Sequence, residues 1–254
     1  MSEEDSKSKD KNADAALRLV GIKRKAVEKE LSDIISAENP SVEISEEEGE
    51  ILIRLHAEDE EDRSGKKLLK PVLKEIKSRL GQMIYSTDEN TTLEEAVINL
   101  LKENRFTIAT SESCTAGLFT GRLANVPGTS EVLKGGIIAY TEKVKRKYAG
   151  VKRHTLDKNT AVSERTAAEM SKGACAMFKT DCGVSITGLA GPGGGSDKQP
   201  IGLVYIGVTV QKKTIVKEYS FSGDRQEIRY QAVTEALALL RLSLLKHFSE
   251  ITFS

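Results

Sequence analysis

Apolar strand-like runs alternate with helical segments through the second half of the chain. The run at residues 106–110 predicts a buried strand, and residues 118–124 after it predict a helix. Further elements follow in the same alternation: strands at 136–140 and 182–187, helices at 93–102, 163–178 and 224–247, and a hairpin of strands 203–210 and 214–221. Ser163 is the predicted N-cap of the helix that follows it. The alternation predicts an α/β domain over residues 90–254, a three-layer α/β/α sandwich whose hairpin makes the sheet mixed.

The first part of the chain has denser charge and shorter apolar runs. It predicts the order helix, strand, strand, helix, at residues 27–35, 41–44, 51–55 and 68–80. Pro71 is tolerated in the last of these helices only near its first turn. We therefore expect a small α+β domain at residues 14–86, preceded by a disordered charged tail at residues 1–13.

Composition and charge make several protein classes improbable. The 254 residues carry 38 basic and 38 acidic side chains, so bulk electrostatic binding of nucleic acid is not expected. No run reaches the roughly 18 apolar residues of a membrane helix, and the N-terminus lacks the apolar core of a signal peptide. The three cysteines have no zinc-like spacing and the histidines do not cluster, so no metal site is expected. These features favour a cytoplasmic protein.

A nucleophile is predicted in the turn between the first strand and helix of the second domain. A small hydroxyl or thiol residue there gains exposure above the sheet edge, near the unpaired N–H groups of the helix start. Ser113 and Cys114 compete for this role. Cys114 is intrinsically the better nucleophile, but an unpaired cysteine is more often a small buried packing residue. Ser111 belongs to the strand, and Thr115 is the expected N-cap of the helix.

A lysine is the candidate base. The three histidines lie in different elements, which disfavours a Ser-His-Asp triad. Lys145 follows a predicted strand end at Tyr140 and has cationic neighbours, which with burial would lower its pKa. From the pattern alone, a solvated basic helix is the other interpretation.

Two further features could bind an anion. The loop at residues 188–197 is rich in glycine, which lets backbone N–H groups approach an anion closely, although a flexible connection has the same composition. Arg225 and Arg229 lie one turn apart near the start of the last helix and would suit a phosphate, or else solubilise the surface.

These residues together resemble the CinA C-terminal domain family. The resemblance rests on a series of ordered motifs, which include ATSESCTAG at 109–117, GIIAY at 136–140, SITGLAGPGG at 185–194 and GDR at 223–225. It covers essentially residues 90–250, while residues 14–86 are similar to the KH-type domain that precedes it in full-length CinA proteins. The MoaB-like domain of those proteins has no counterpart in this sequence, which therefore resembles a shortened CinA.

The resemblance implies hydrolysis of the carboxamide of nicotinamide mononucleotide to nicotinate mononucleotide and ammonia, without metal or cofactor. It implies Ser113 as the nucleophile, Lys145 as the general base and Tyr140 as its partner. The family's segment has Asn and Glu where this chain has Glu142 and Lys143, which could alter substrate fit or the pKa of Lys145. The expected oxyanion and substrate-binding residues are Cys114, Thr115, Ala116, Gly117, Thr187, Gly188, Gly191, Gly194, Gly195, Ser196, Arg225 and Arg229.

A catalytically silent nucleotide-binding or scaffold module of the same fold is the alternative, supported by the altered residues Glu142 and Lys143. Nucleic-acid binding is the weakest alternative, because residues 14–86 lack the Gly-x-x-Gly loop through which KH folds bind single strands. The family's tendency to associate and the leucine-rich final helix predict a homo-oligomer, although burial in the domain's own core is the better single explanation of the leucines. The implied pathway is pyridine-nucleotide recycling towards NAD.

Overall fold

The structure, a computed structural model, describes residues 12–252. They form two compact units that divide after Asn90. Residues 1–11 of the predicted tail lie outside the described residues. Asn12 and Ala13, which the prediction placed in that tail, belong to the first strand of the N-terminal unit.

The N-terminal unit is a four-stranded antiparallel sheet with helices packed on it. In chain order its elements are β1 (Asn12–Val20), α1 (Arg24–Glu30), α2 (Ser32–Ile35), β2 (Ser41–Glu47), β3 (Glu50–Glu58), α3 (Gly65–Leu80), a 3-10 turn (Gly81–Met83) and β4 (Ile84–Ser86). The strand order is β2-β3-β1-β4. Alternate residues of β1 and β3, such as Leu17 and Ile53, are fully buried and pack with Ile76 of α3 in one apolar core.

Three details of this unit differ from the sequence prediction. β1 and β4 were not predicted, because β1 mixes polar and small residues and pairs along its whole length with the distant strand β3. The predicted helix at 27–35 is two short helices separated at Leu31. α3 begins at Gly65, so Pro71 lies beyond the first turn; the Gly65 N–H donates to Asp59 Oδ1, which stabilises the earlier start.

The C-terminal unit alternates strands and helices as its sequence predicts. Its elements are α4 (Leu93–Glu103), β5 (Ile108–Glu112), α5 (Leu118–Ala124), a 3-10 turn (Thr129–Glu131), β6 (Leu133–Ile138), α6 (Glu142–Lys147), α7 (Arg153–Asn159), α8 (Glu164–Phe178), β7 (Cys182–Gly188), β8 (Leu203–Val210), β9 (Lys213–Ser220) and α9 (Arg225–Thr252). Ser163 caps α8 by accepting from the Thr166 N–H, as predicted. β6 begins and ends earlier than expected, so Tyr140 lies beyond the strand.

The five-stranded sheet has the order β6-β5-β7-β8-β9. β5 is parallel to both β6 and β7. β8 is antiparallel to its neighbours β7 and β9, so the predicted mixed sheet is confirmed. α8 packs on one face, and α4, α5 and α9 form the layer on the other, which confirms the three-layer sandwich. Leucines of α9, including Leu237, Leu240 and Leu244, are buried within this unit, so they provide no separate evidence for assembly.

Among the helices of residues 12–252, none combines the length and apolar character needed to cross a membrane.

Candidate active site

The turn between β5 and α5 places Ser113 at the carboxyl end of β5, which lies between β6 and β7 in the sheet. Every residue of β5 is buried, and the Ser113 N–H extends the pairing by donating to Ile186 O at 2.9 Å. Ala116 and Gly117 then take positive φ angles of 51° and 98°, which reverse the chain into α5. A glycine is required at the second position because L side chains rarely adopt that conformation. The turn is therefore tight, as the sequence predicts, and its serine lines a pocket.

Lys145 and Ser113 are in direct contact. The Lys145 Nζ lies 2.6 Å from Ser113 Oγ and 2.8 Å from the carbonyl oxygen of Ala139. Lys145 is only 2% exposed, although it lies on the short helix α6, whose N-cap is Thr141. A neutral amine here can accept the serine proton and still donate to Ala139.

Burial lowers the pKa of Lys145 to about 8, against the opposing effects of Cys114 and Glu142. The sequence pattern predicts a contribution of cationic neighbours to this lower pKa, but Arg146 and Lys147 are exposed and burial is the main cause. The solvated-helix interpretation is wrong for Lys145 itself, although the other basic residues of α6 are exposed. Glu142 and Lys143, where this chain departs from the family pattern, are also exposed.

Cys114 is a poor nucleophile in this structure. It is 6% exposed, and burial raises the pKa of its thiol to about 11. Because the reactive species of cysteine is the thiolate, a thiol that stays protonated at neutral pH is disfavoured. No hydrogen bond joins its sulfur to Lys145 among the described residues, whereas Ser113 has one. The geometry therefore favours the serine.

A buried glutamate holds the start of α5. The Glu112 carboxylate accepts from the N–H groups of Gly117, Phe119 and Thr120, and from the hydroxyl of Thr120, at 2.6–3.1 Å. The positive end of a helix favours a carboxylate there. The sequence analysis did not select Glu112, although an acidic residue in a buried strand just before a helix start is a usable signal.

Two of the predicted oxyanion donors are already engaged. The Gly117 N–H donates to Glu112 Oε2, and the Ala116 N–H donates to Ser113 O at 3.1 Å. Thr115 is not the N-cap, because Gly117 occupies that position and the buried Thr115 hydroxyl has no hydrogen-bond partner among the described residues. The N–H groups of Ala116 and Gly117 are therefore not available as the predicted oxyanion donors, and Thr115 does not cap α5 as predicted.

The N–H groups of Cys114 and Thr115 are the donors that remain. Within the described chain, no oxygen accepts from either of them, and both lie beside the Cys114 sulfur, whose pKa they lower against burial. A thiol sulfur is a weak acceptor. The N–H of the residue after the nucleophile is a common oxyanion donor at strand-to-helix turns. Cys114 lines the pocket and Thr115 follows it just outside the lining, so these two groups are the candidate oxyanion donors.

Tyr140 lines the pocket, where its hydroxyl is hydrogen-bonded to Arg225 and not to the serine–lysine pair. Its hydroxyl, on a side chain that is 54% exposed, accepts from Arg225 Nη2 at 2.9 Å. Arg225 Nη1 in turn donates to Gly191 O at 2.6 Å. No hydrogen bond joins Tyr140 to Lys145 among the described residues, so the predicted Tyr–Lys contact is not made. Tyr140 and Arg225 instead form one wall of the pocket.

The pocket has a volume of about 240 Å³. Its lining residues are Ser113, Cys114, Tyr140, Lys145, Ala161, Val162, Gly188, Leu189, Ala190, Gly191, Gly193 and Arg225. The glycine-rich loop therefore contributes Gly188 and Gly191, as predicted.

Other residues of the predicted binding set lie outside the lining. Gly194, Gly195 and Ser196 are not lining residues, because the loop folds into a separate turn in which the Ser196 N–H donates to Gln199 O. The buried Thr187 hydroxyl donates to Ala161 O at 2.8 Å, so it holds a lining segment in place. Within the described part of the chain, no three His, Cys, Asp or Glu side chains gather as a metal site would require.

Arg229 also differs from its predicted role. Its Nε donates to Cys114 O at 3.0 Å and its Nη2 donates to Thr115 O at 2.9 Å. Arg229 therefore binds the backbone of the nucleophile turn and is not a lining residue of the pocket. Of the two predicted phosphate ligands, only Arg225 lines the pocket.

Both units match known sequence families. Residues 90–244 match the CinA C-terminal domain, and residues 15–86 match the Damage-inducible protein CinA KH domain. A CinA-like protein of Kosmotoga olearia is 43% identical over 230 residues, which make up 90% of this chain and 56% of that protein. A CinA-like protein of Dictyoglomus turgidum has the same identity and the same coverage, 43% over 230 residues, 90% and 56%. The chain thus spans about half the length of these curated relatives.

Solved structures give the same likeness. The competence/damage inducible protein CihA from Agrobacterium tumefaciens has a TM-score of 0.58 and 36% identity, covering 60% of this chain and 93% of that chain. A CinA superfamily protein from Klebsiella pneumoniae has a TM-score of 0.59 and 30% identity, and the match covers 61% of this chain and 96% of that chain. These names state no reaction.

Proposed function

The chain belongs to the CinA family, with a CinA KH domain followed by a CinA C-terminal domain, and on that premise we propose that its C-terminal unit is a nicotinamide-nucleotide amidase. The reaction is hydrolysis of the carboxamide of nicotinamide mononucleotide to nicotinate mononucleotide and ammonia. The observation that carries the proposal is the 2.6 Å contact between Lys145 Nζ and Ser113 Oγ in a buried site. A serine needs an adjacent base to attack an amide, and this lysine is placed to act as one.

In the acylation step, neutral Lys145 accepts the proton of Ser113 as Oγ attacks the carboxamide carbon. The negative charge that develops on the amide oxygen is stabilised by the N–H groups of Cys114 and Thr115. Losing one such donor typically costs about 3 kcal/mol of transition-state stabilisation. The C–N bond then breaks, Lys145 returns the proton to the leaving nitrogen, and ammonia departs.

Water completes the reaction. Lys145, neutral again, accepts a proton from a water molecule that attacks the ester carbonyl. The same two N–H groups stabilise the second oxyanion. The bond to Ser113 Oγ breaks, the serine recovers its proton from Lys145, and the product leaves as the carboxylic acid, which gives its proton to water or ammonia and becomes the nicotinate carboxylate. No atom outside the substrate, water and these side chains is needed to balance the steps.

Arg225 is the proposed phosphate ligand. It is a cation in the pocket lining, and its hydrogen bonds to Gly191 O and Tyr140 set the direction of the guanidinium. Guanidinium groups bind phosphate through two parallel hydrogen bonds, which fixes orientation as well as charge. Binding energy from the phosphate would orient the carboxamide at Ser113. Tyr140 has a positioning role in this scheme and does not relay protons.

Ammonia release from nicotinamide mononucleotide tests the proposal in the wild type and in three variants. Ser113→Ala and Lys145→Ala should abolish release, while Cys114→Ala should retain most of it. Loss with Cys114→Ala and retention with Ser113→Ala would move the nucleophile to the cysteine. A folded wild type that binds the nucleotide but releases no ammonia would be the silent binding module instead. Assembly into a homo-oligomer and a role in pyridine-nucleotide recycling remain predictions.

A further inference from the structure

Arg229 joins the second turn of α9 to the nucleophile turn, which lies more than a hundred residues earlier in the chain. Its Nε–H donates to the carbonyl oxygen of Cys114 and its Nη2–H to that of Thr115. Both bonds involve a charged donor, and such bonds are about twice as strong as neutral ones. A planar guanidinium that binds two consecutive carbonyl groups restricts the orientation of both peptide planes.

The consequence for the oxyanion site follows from the planarity of the peptide bond. The Cys114 carbonyl and the Thr115 N–H belong to one rigid peptide group and point in opposite directions. Fixing the carbonyl oxygen therefore fixes the direction of the Thr115 N–H. The Ser113 carbonyl, which shares a peptide group with the Cys114 N–H, is fixed in the same way by the Ala116 N–H.

Each candidate oxyanion donor is thus an N–H group whose peptide plane is fixed by a hydrogen bond to the carbonyl oxygen of the same peptide group. One is held by a backbone turn, and the other by the Arg229 side chain. A cation bound to the carbonyl end also polarises the peptide, because linked hydrogen bonds strengthen one another in a low-dielectric interior. Glu112 holds the end of the same turn and the start of α5 by accepting from the N–H groups of Gly117 and Phe119.

We propose that Arg229 is a positioning residue of the oxyanion site, which aims and polarises the Thr115 N–H towards the tetrahedral intermediate, and that it is not a phosphate ligand. The proposal rests on the proposed amidase function. It separates Arg229 from Arg225, which lies one turn earlier on α9 and lines the pocket. The two arginines should therefore affect different kinetic constants.

A two-substrate comparison separates the two roles. Ammonia release would be measured with nicotinamide mononucleotide and with nicotinamide riboside, which lacks the phosphate. Arg229→Met should lower kcat about 10- to 100-fold for both substrates with little change in KM, because the lost interaction acts in the transition state. The matched variant Arg225→Ala should raise KM for the mononucleotide and leave the riboside nearly unaffected.

Arg229→Lys is the second variant, in case the methionine variant does not fold. A lysine keeps the charge but cannot make the two-pronged contact with consecutive carbonyls, so kcat should stay low in a protein whose far-UV circular dichroism matches the wild type. A mononucleotide-specific rise in KM for either Arg229 variant would overturn the proposal. An unchanged kcat in both variants would overturn it as well.

Labelling with a fluorophosphonate distinguishes failure of this proposal from failure of the amidase function. Ser113 Oγ attacks phosphorus, its proton passes to Lys145 and fluoride leaves, while the phosphonyl oxygen occupies the oxyanion site. No amide substrate is involved. Wild type that is labelled on Ser113, yet releases no ammonia, would refute the amidase while leaving Arg229 testable. Slower labelling of Arg229→Lys than of wild type supports positioning, and an equal labelling rate refutes it.

Discussion

Replacing Lys145 by methionine should remove a pH dependence of stability that the wild-type chain carries. Lys145 is 2% exposed, and burial lowers its pKa from 10.5 to about 8 in the folded state. The unfolded chain, with an ordinary lysine pKa, therefore binds more protons between these values than the folded chain does. Burying Lys145 therefore reduces the free energy of unfolding. The reduction has its full size below about pH 8 and becomes smaller as the pH rises towards 10.5.

The size of the penalty follows from the shift. Lowering the pKa of Lys145 from 10.5 to about 8 corresponds to about 3 kcal/mol at pH 7, since a tenfold change in an equilibrium constant is worth about 1.4 kcal/mol. At pH 9.5 the remaining penalty is about 1–2 kcal/mol, because the folded-state amine is then already neutral. Methionine has similar length and no titratable group. The variant lacks the hydrogen bonds that Lys145 makes to Ser113 and Ala139, and this loss lowers stability by an amount that does not depend on pH.

The assay is urea unfolding followed by circular dichroism at pH 7 and pH 9.5, for wild type and Lys145→Met. The free energy of unfolding of wild type minus that of the variant should rise by about 2 kcal/mol between the two pH values. Titration of every other group cancels in this difference. A difference that is the same at both pH values would refute the lowered pKa, and with it the neutral amine on which the proposed base depends.

The remaining predictions concern activity and packing. The kcat/KM of the amidase reaction should rise with unit slope up to about pH 8 and level off above it, as a pH–rate profile would record, because Lys145 must be neutral. Glu112→Gln should lower the free energy of unfolding by about 1–3 kcal/mol in urea titration, because an amide cannot accept from all of the donors that the carboxylate satisfies. Gly173→Ala in α8 should lower the thermal midpoint, since its Cβ would overlap the backbone of Ala149. Its control, Gly121→Ala in α5, meets no atom within 4 Å and should raise the thermal midpoint slightly.

The local pattern of apolar and polar residues was sufficient to predict most of the helices and strands of the C-terminal unit. The strand at residues 182–187, for example, is a short apolar run bounded by polar residues, and the structure extends it by one residue to Gly188. α5 has the predicted bounds, because the glycine before it and the apolar spacing within it are both local signals. β1 was missed because its pairing partner β3 lies thirty or more residues away, and its own residues alternate only weakly.

The sequence by itself determined the fold class, the family and the short set of reactive side chains. A strand followed by a small nucleophile and a helix is a local arrangement, so neighbouring residues alone could propose Ser113 and Cys114 as the candidates. The tertiary structure decided which groups meet. In the folded chain Lys145 is hydrogen-bonded to Ser113, and Tyr140 is hydrogen-bonded to Arg225. Arg229 donates to backbone carbonyl groups and does not line the pocket. Hydrogen bonds extend only about 3 Å and depend on direction, so the spacing of residues along a chain cannot specify them.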